Sequence, residues 1–273
     1  MDTIVRLLTT VVPMAYLLAV VAYVFDFVGF HPAAARSARR LLNVALALHA
    51  AQLGLRGVLY VHVPLASGAE VMGTVAFAIA GVYLLVERRT GVERTGAFVI
   101  GAVWILQTLS TALLEPVTQF PALLRSPLFG LHTGSAVLGY AAFGLSAVYG
   151  VLSLQLHRAL KRQRFGVIFN RLPSLDVLTR MSLSAAAVGV GFLGVAIVLG
   201  MIWASRTFPG FVFDPKVALT VAVWLAYLSV LVAYRWLKWS RRRAIGFLLA
   251  AFLLLVAAAL ATAFALPSFH AFV

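Results

Sequence analysis

The sequence predicts an all-α fold: a polytopic integral membrane bundle of about eight transmembrane helices, each needing about 20 apolar residues. Three observations predict it. The 273 residues are 63% hydrophobic and only 11% charged, against roughly 45–50% and about 25% in soluble domains. Mean hydropathy is +1.01. Apolar runs of spanning length then recur along almost the whole chain, leaving no room for a large soluble catalytic domain.

The runs fall at about 4–27, 41–62, 68–86, 95–115, 131–156, 181–203, 217–237 and 245–267. Each is too long, and too uniformly Ala, Leu, Val and Gly, to be an alternating barrel strand of about 10 residues. The first, inside MDTIVRLLTTVVPMAYLLAVVAYVFDFVGF, is long and lacks a small-residue cleavage site, so it reads as a retained span. Connections are short, the longest near 116–130, 157–180 and 204–216, and residues 1–273 read as one membrane domain.

Charge orients the spans. Net charge is +14, with 22 Lys and Arg against 8 Asp and Glu. In a soluble protein that excess would point to nucleic acid; in a polytopic one it marks cytoplasmic loops, and no nucleic-acid partner is expected. Seventeen of the 22 basic residues sit in four alternate loops, around Arg36–Arg40, Arg88–Arg94, Arg158–Arg180 and Arg235–Arg243. Those loops are predicted to be cytoplasmic and both termini extracytoplasmic, in a bacterial-type inner or plasma membrane. The absence of cysteine excludes disulfides, thiolate metal sites and CxxC redox chemistry within the chain.

On this topology the histidines sort by side. His31 and His157 lie in basic loops and His49 lies inside the second span, while His62, His132 and His270 all lie at outer boundaries. Imidazole is a strong axial ligand for haem iron and suits other transition metals; a single boundary histidine is more often an interfacial residue than a ligand.

The outer loop 204–216 is rich in aromatics. Trp203, Phe208, Phe211, Phe213 and Trp224 surround Pro209-Gly210 and Asp214-Pro215-Lys216. Aromatic belts are ordinary at interfaces, but this density also makes an apolar platform suited to a flat macrocycle with carboxylates, which Lys216 could meet.

In the second span, ALALHAAQLGLRGVLYVH, His49, Gln52 and Arg56 share one helical stripe, with Tyr60 a turn further on. An arginine in the bilayer costs about 2.5–3.5 kcal/mol at its centre, so it faces a partner or a cavity. Glu70 and Glu115 are the acidic candidates near the same boundary, and an anionic ligand is the other option.

These segments resemble the cytochrome c assembly family, the CcsA/ResC, CcmC and HemX-like membrane proteins that handle haem. The resemblance rests on LRGVLYVHVPLASGAE, HTGSAVLGYAAFGLSAVYGVLSLQLHRALK, LPSLDVLTRMS, GMIWA, DPK and WLAY. It implies a haem-binding protein that presents or exports haem at the extracytoplasmic face for c-type cytochrome biogenesis. On that likeness His132 and His270 are the axial ligands of the haem iron, and Trp203, Phe208, Phe211, Phe213 and Asp214 form the porphyrin platform. His49, Gln52, Arg56, His62 and Lys216 are candidate haem or propionate contacts.

The haem would be non-covalent and b-type, and the implied partners are a second assembly membrane protein and apocytochrome c, besides haem and the lipid bilayer. Phenylalanines stand at 208, 211 and 213 where tryptophans are dense in the family, and Val217 follows Asp214-Pro215-Lys216. Those departures resemble the shorter, HemX-like branch, so a regulatory or scaffold protein affecting haem synthesis or complex assembly is the alternative. No Ser-His-Asp or paired-carboxylate constellation is evident among eight acidic residues, and an enzyme is not expected, beyond a part in haem attachment.

Overall fold

A computed structural model describes residues 2–29, 34–60, 64–65, 67–90, 94–114, 126–163, 166–207 and 214–264. Every regular element among them is helical: α1 (Asp2–Val28), α2 (Ala34–Tyr60), α3 (Gly68–Thr90), α4 (Gly96–Ala112), α5 (Pro127–Lys161), α6 (Val167–Arg171), α7 (Leu175–Thr207), α8 (Pro215–Trp236) and α9 (Arg241–Phe264). Seven of these are long and apolar enough to cross a membrane, and α4 is apolar but only 17 residues long. At 1.5 Å per residue α4 reaches roughly 25 Å, the short end of the spanning range. Outward-facing positions carry large apolar side chains such as Leu18, Ile105, Val198 and Leu253. In water these would form aggregation-prone patches; a hydrocarbon layer covers them. The chain is a multi-pass membrane protein.

Local signals set the helix ends. Ser67 Oγ accepts from Glu70 N at 3.2 Å ahead of α3. Ser240 does the same for Arg243 N at 3.4 Å ahead of α9. Pro127 and Pro215 open α5 and α8, where a missing N–H costs nothing. Past the C-terminus of α1, Gly29 has φ +74°, and the Arg171 guanidinium lies where a side chain would stand. Only glycine meets both demands without strain.

The helices form two compact units, residues 1–120 with 156–174, and 121–155 with 175–273. In the first unit α1 packs on α2 and α4, and α3 on α4 and α2. Cross-helix pairs run in opposite directions: Tyr16 meets His49 and Thr9 meets Gln52, Arg56 meets Glu70 while Arg39 meets Glu87, and Thr111 meets Thr9. The result is an up-down four-helix ring. One of its ends gathers Arg36, Arg39, Arg40, Arg88 and Arg94. At that end Glu87 is buried, accepting from Tyr23 Oη at 2.6 Å and pairing with Arg39 at 3.4 Å.

The second unit is held by antiparallel α5 and α7. Ser146 lies 3.3 Å from Ser182, and Ser153 lies 3.1 Å from Thr179, oxygen to oxygen. At Gly139 a β-carbon would stand 3.1 Å from Leu193 N; small residues are what let membrane helices approach this closely. Trp224 Nε1 of α8 donates to Val190 O of α7 at 2.9 Å, and Phe143 stacks on Tyr227 with centroids 3.7 Å apart. Asp176 binds both Arg180 and Arg241 at 2.7 Å, so the N-termini of α7 and α9 share the basic end of this unit. The opposite end therefore holds the start of α5, the end of α7 and the start of α8.

Candidate functional site

His132 sits in the second turn of α5 at that non-basic end. Its Nδ1–H donates to the Ala196 carbonyl of α7 at 2.8 Å. A carbonyl only accepts, so the ring is the Nδ1–H tautomer and the lone pair resides on Nε2. The ring fits because residue 200 of α7 is glycine: a β-carbon there would stand 2.6 Å from Cε1 of His132 and 2.7 Å from Nδ1.

One helical step further, Trp203 is 2% exposed and packs on Phe129, one α5 turn before His132, with centroids 5.4 Å apart. It lines this end from within the bundle instead of standing out in the loop. Trp224, the other tryptophan of the sequence platform, is engaged with α7 lower in the unit.

Asp214 and Lys216 complete the end. The Asp214 carboxylate accepts from Lys216 N at 2.7 Å and caps α8. The half-buried Lys216 ammonium lies within electrostatic range of the His132 ring. His132, Trp203, Asp214 and Lys216 thus lie at one end of one unit. Phe208, Phe211, Phe213 and His270 lie outside the described residues, as do His31 and His62.

The stripe on α2 lies in the first unit. Tyr16 Oη meets His49 Nδ1 at 3.1 Å, and the His49 ring also abuts Phe77 edge-on. Gln52 Nε2 donates to Thr9 Oγ1 at 3.2 Å. Arg56 Nε donates to Glu70 Oε1 at 2.6 Å, the two side chains being 9% and 2% exposed, and its guanidinium lies 5.1 Å from the Tyr60 ring centroid. Of the two acidic candidates, Glu70 takes the charge; Glu115 lies outside the described residues.

Two features escape a reading by residue type. Gly200 carries no signal among the glycines and alanines of α7, although its place seven residues after Leu193 and three before Trp203 marks the face packed on α5. Gln107 and Ser110 of α4 complete the polar layer around Arg56 and Glu70, with Ser110 Oγ donating to Ala69 O at 2.7 Å.

As far as they are described, the residues at the non-basic end of the second unit suit a porphyrin iron. A metal-bound histidine ordinarily donates its other N–H to a carbonyl or carboxylate, which is the His132–Ala196 arrangement. An aromatic wall and a cation accompany it.

The all-helical membrane architecture and this end belong to one class of protein. The sequence model of the cytochrome c assembly protein family matches residues 71–270, and the chain belongs to that family. Among individual proteins, it is 29% identical to Protein HemX of Brevibacillus brevis, across 78% of this chain and 79% of that one. It is 27% identical to Protein HemX of Bacillus subtilis (strain 168), across 78% of each. The cytochrome c biogenesis protein CcsA of Heterosigma akashiwo is 24% identical across 68% of this chain and 69% of its own.

Proposed function

We propose that the chain binds haem at the extracytoplasmic face and presents it for c-type cytochrome biogenesis. The observation that carries this reading is the His132 ring, fixed by Ala196 with its lone pair on Nε2, beside Trp203 and Lys216. Membership of the cytochrome c assembly family supports it.

In this reading His132 and His270 would hold the haem iron through their imidazole nitrogens. The Ala196 carbonyl orients the His132 ring and raises its basicity. Trp203, with the phenylalanines at 208, 211 and 213, forms the apolar wall, and Lys216 pairs with a propionate. Asp214 supports the platform by holding the start of α8. Arg56, His49 and Gln52 are already engaged within the first unit, so their part is the packing of α2. The chain has no thiol, so any thioether bond draws its sulfur from apocytochrome c, a partner in this reading. The chain acts as a binder and positioner, without a nucleophile of its own.

A regulatory or scaffold role of HemX-like type is the second reading, favoured by the two HemX relatives sharing more of this chain than CcsA does. The absorption spectrum of detergent-purified protein separates them. A stoichiometric Soret band supports haem presentation. A colourless protein that retains a tightly bound protein partner supports the second reading.

A further inference from the structure

The polar groups of the first unit form a circuit with one gap. Thr111 Oγ1 donates to Thr9 O at 3.3 Å, and Gln107 Nε2 reaches Thr111 Oγ1 at 3.4 Å. On the other side, Gln52 Nε2 donates to Thr9 Oγ1 at 3.2 Å. The two amide oxygens left over, Gln52 Oε1 and Gln107 Oε1, are buried with no hydrogen-bond partner among the described residues, and so is His49 Nε2. His49, Gln52 and Gln107 all line a single small cavity of about 20 Å³, together with Arg56, Glu70 and Gly73.

The balance of donors and acceptors identifies the occupant. Buried tyrosine hydroxyls find acceptors. The Tyr16 hydroxyl is satisfied as a donor when His49 Nδ1 is bare, which puts the imidazole proton on Nε2. The cavity then offers one N–H donor and two carbonyl acceptors. A water molecule has two protons and two lone pairs, and needs about 10–15 Å³ of such volume with two to four polar partners.

A metal cation would find two amide oxygens and the Glu70 carboxylate, but that carboxylate is already neutralised by the Arg56 guanidinium at 2.6 Å, and the imidazole N–H opposes a cation. An anion would face the two amide oxygens and the Glu70 carboxylate, with the Arg56 charge already taken up by Glu70. Either is worse matched than water.

We propose that this cavity is a binding site for one ordered water, which accepts from His49 Nε2–H and donates to Gln52 Oε1 and Gln107 Oε1. The water closes the circuit and ties α2 to α4 at the level of the Arg56–Glu70 pair. Nothing in this inference depends on haem.

The test is solid-state NMR of the full chain, ¹⁵N-labelled at histidine, in phospholipid vesicles. The expected result is a His49 signal in the Nε2–H tautomer with a cross-peak from Nε2–H to a water proton. The signal is assigned by its loss in His49→Asn. If that variant does not accumulate, it is assigned by its shift in Tyr16→Phe, which removes the hydrogen bond at Nδ1.

Replacing sodium by choline in the buffer is expected to leave the spectrum unchanged. A spectrum that changes with the cation makes the occupant an ion and overturns the proposal. So does a His49 in the Nδ1–H tautomer, or one whose Nε2–H shows no contact with water.

Discussion

The imidazole of His132 occupies the volume that a side chain at Gly200 would need: a β-carbon there would stand 2.6 Å from Cε1 and 2.7 Å from Nδ1. The α5 histidine and the α7 glycine are therefore one unit of structure, and the Ala196 bond depends on both.

Gly200→Ala is expected to push the ring off α7 and break its bond to Ala196. Haem content per protein falls or the Soret band shifts, while membrane abundance stays close to that of the parent. Gly191→Ala, on the same helix, is the control, because a β-carbon there meets nothing within 4 Å. It gains roughly 0.5–1 kcal/mol of helix stability and leaves the spectrum alone. Equal spectra for both variants would mean that Gly200 does not position His132.

Breaking the Arg56–Glu70 pair leaves a buried carboxylate without its main counter-charge. Arg56→Met is expected to cost about 3–5 kcal/mol, read as a lower melting temperature in detergent. Adding Glu70→Met should recover most of the loss, since paired apolar replacements of buried ion pairs are often neutral. A double variant no better than Arg56→Met would show that the two side chains do not act as a pair.

Asp214 distinguishes a cap from a ligand contact. Asp214→Ala removes the side-chain acceptor for Lys216 N and is expected to cost about 1 kcal/mol. Asp214→Ser, another good cap, should restore stability. If haem retention falls in both variants while stability recovers in the serine one, the carboxylate meets the ligand as well.

Topology follows from the four basic loops. Reporter fusions after Arg94 and after His270 are expected in opposite compartments, the first cytoplasmic and the second outside. The same compartment for both would remove the shared outer face of His132 and His270.

Helix positions were the most legible part of the chain. All eight apolar runs coincide with helices, because a bilayer imposes length and composition together. Their ends were less so: α7 starts at Leu175, not near 181, and α5 runs to Lys161, not 156. A helix continues through charges that end an apolar run, and Asp176–Arg180 at i, i+4 favours it. The five-residue α6 has too few residues to show a period.

In the site, the side of the membrane sorted His132 with Trp203 and Lys216, and charge alone made Glu70 a candidate for Arg56. Trp203 was grouped with the aromatics of the outer loop, whereas its place on α7 turns it onto Phe129. Gln107 could not be matched to Gln52, because nothing in a single sequence says that α2 and α4 present these amides to one cavity.

The most direct test is the visible spectrum of detergent-purified His132→Gly and His270→Gly, with and without added imidazole. Haem presentation predicts that the parent protein carries a low-spin haem spectrum. Each variant should lose haem or shift its Soret band, and imidazole entering the vacated space should restore part of it. His62→Gly, on the same predicted face, should keep the parent spectrum. Parent-like spectra for the His132 and His270 variants alongside haem loss in His62→Gly would contradict the axial assignment. A parent protein with no Soret band would contradict haem presentation itself.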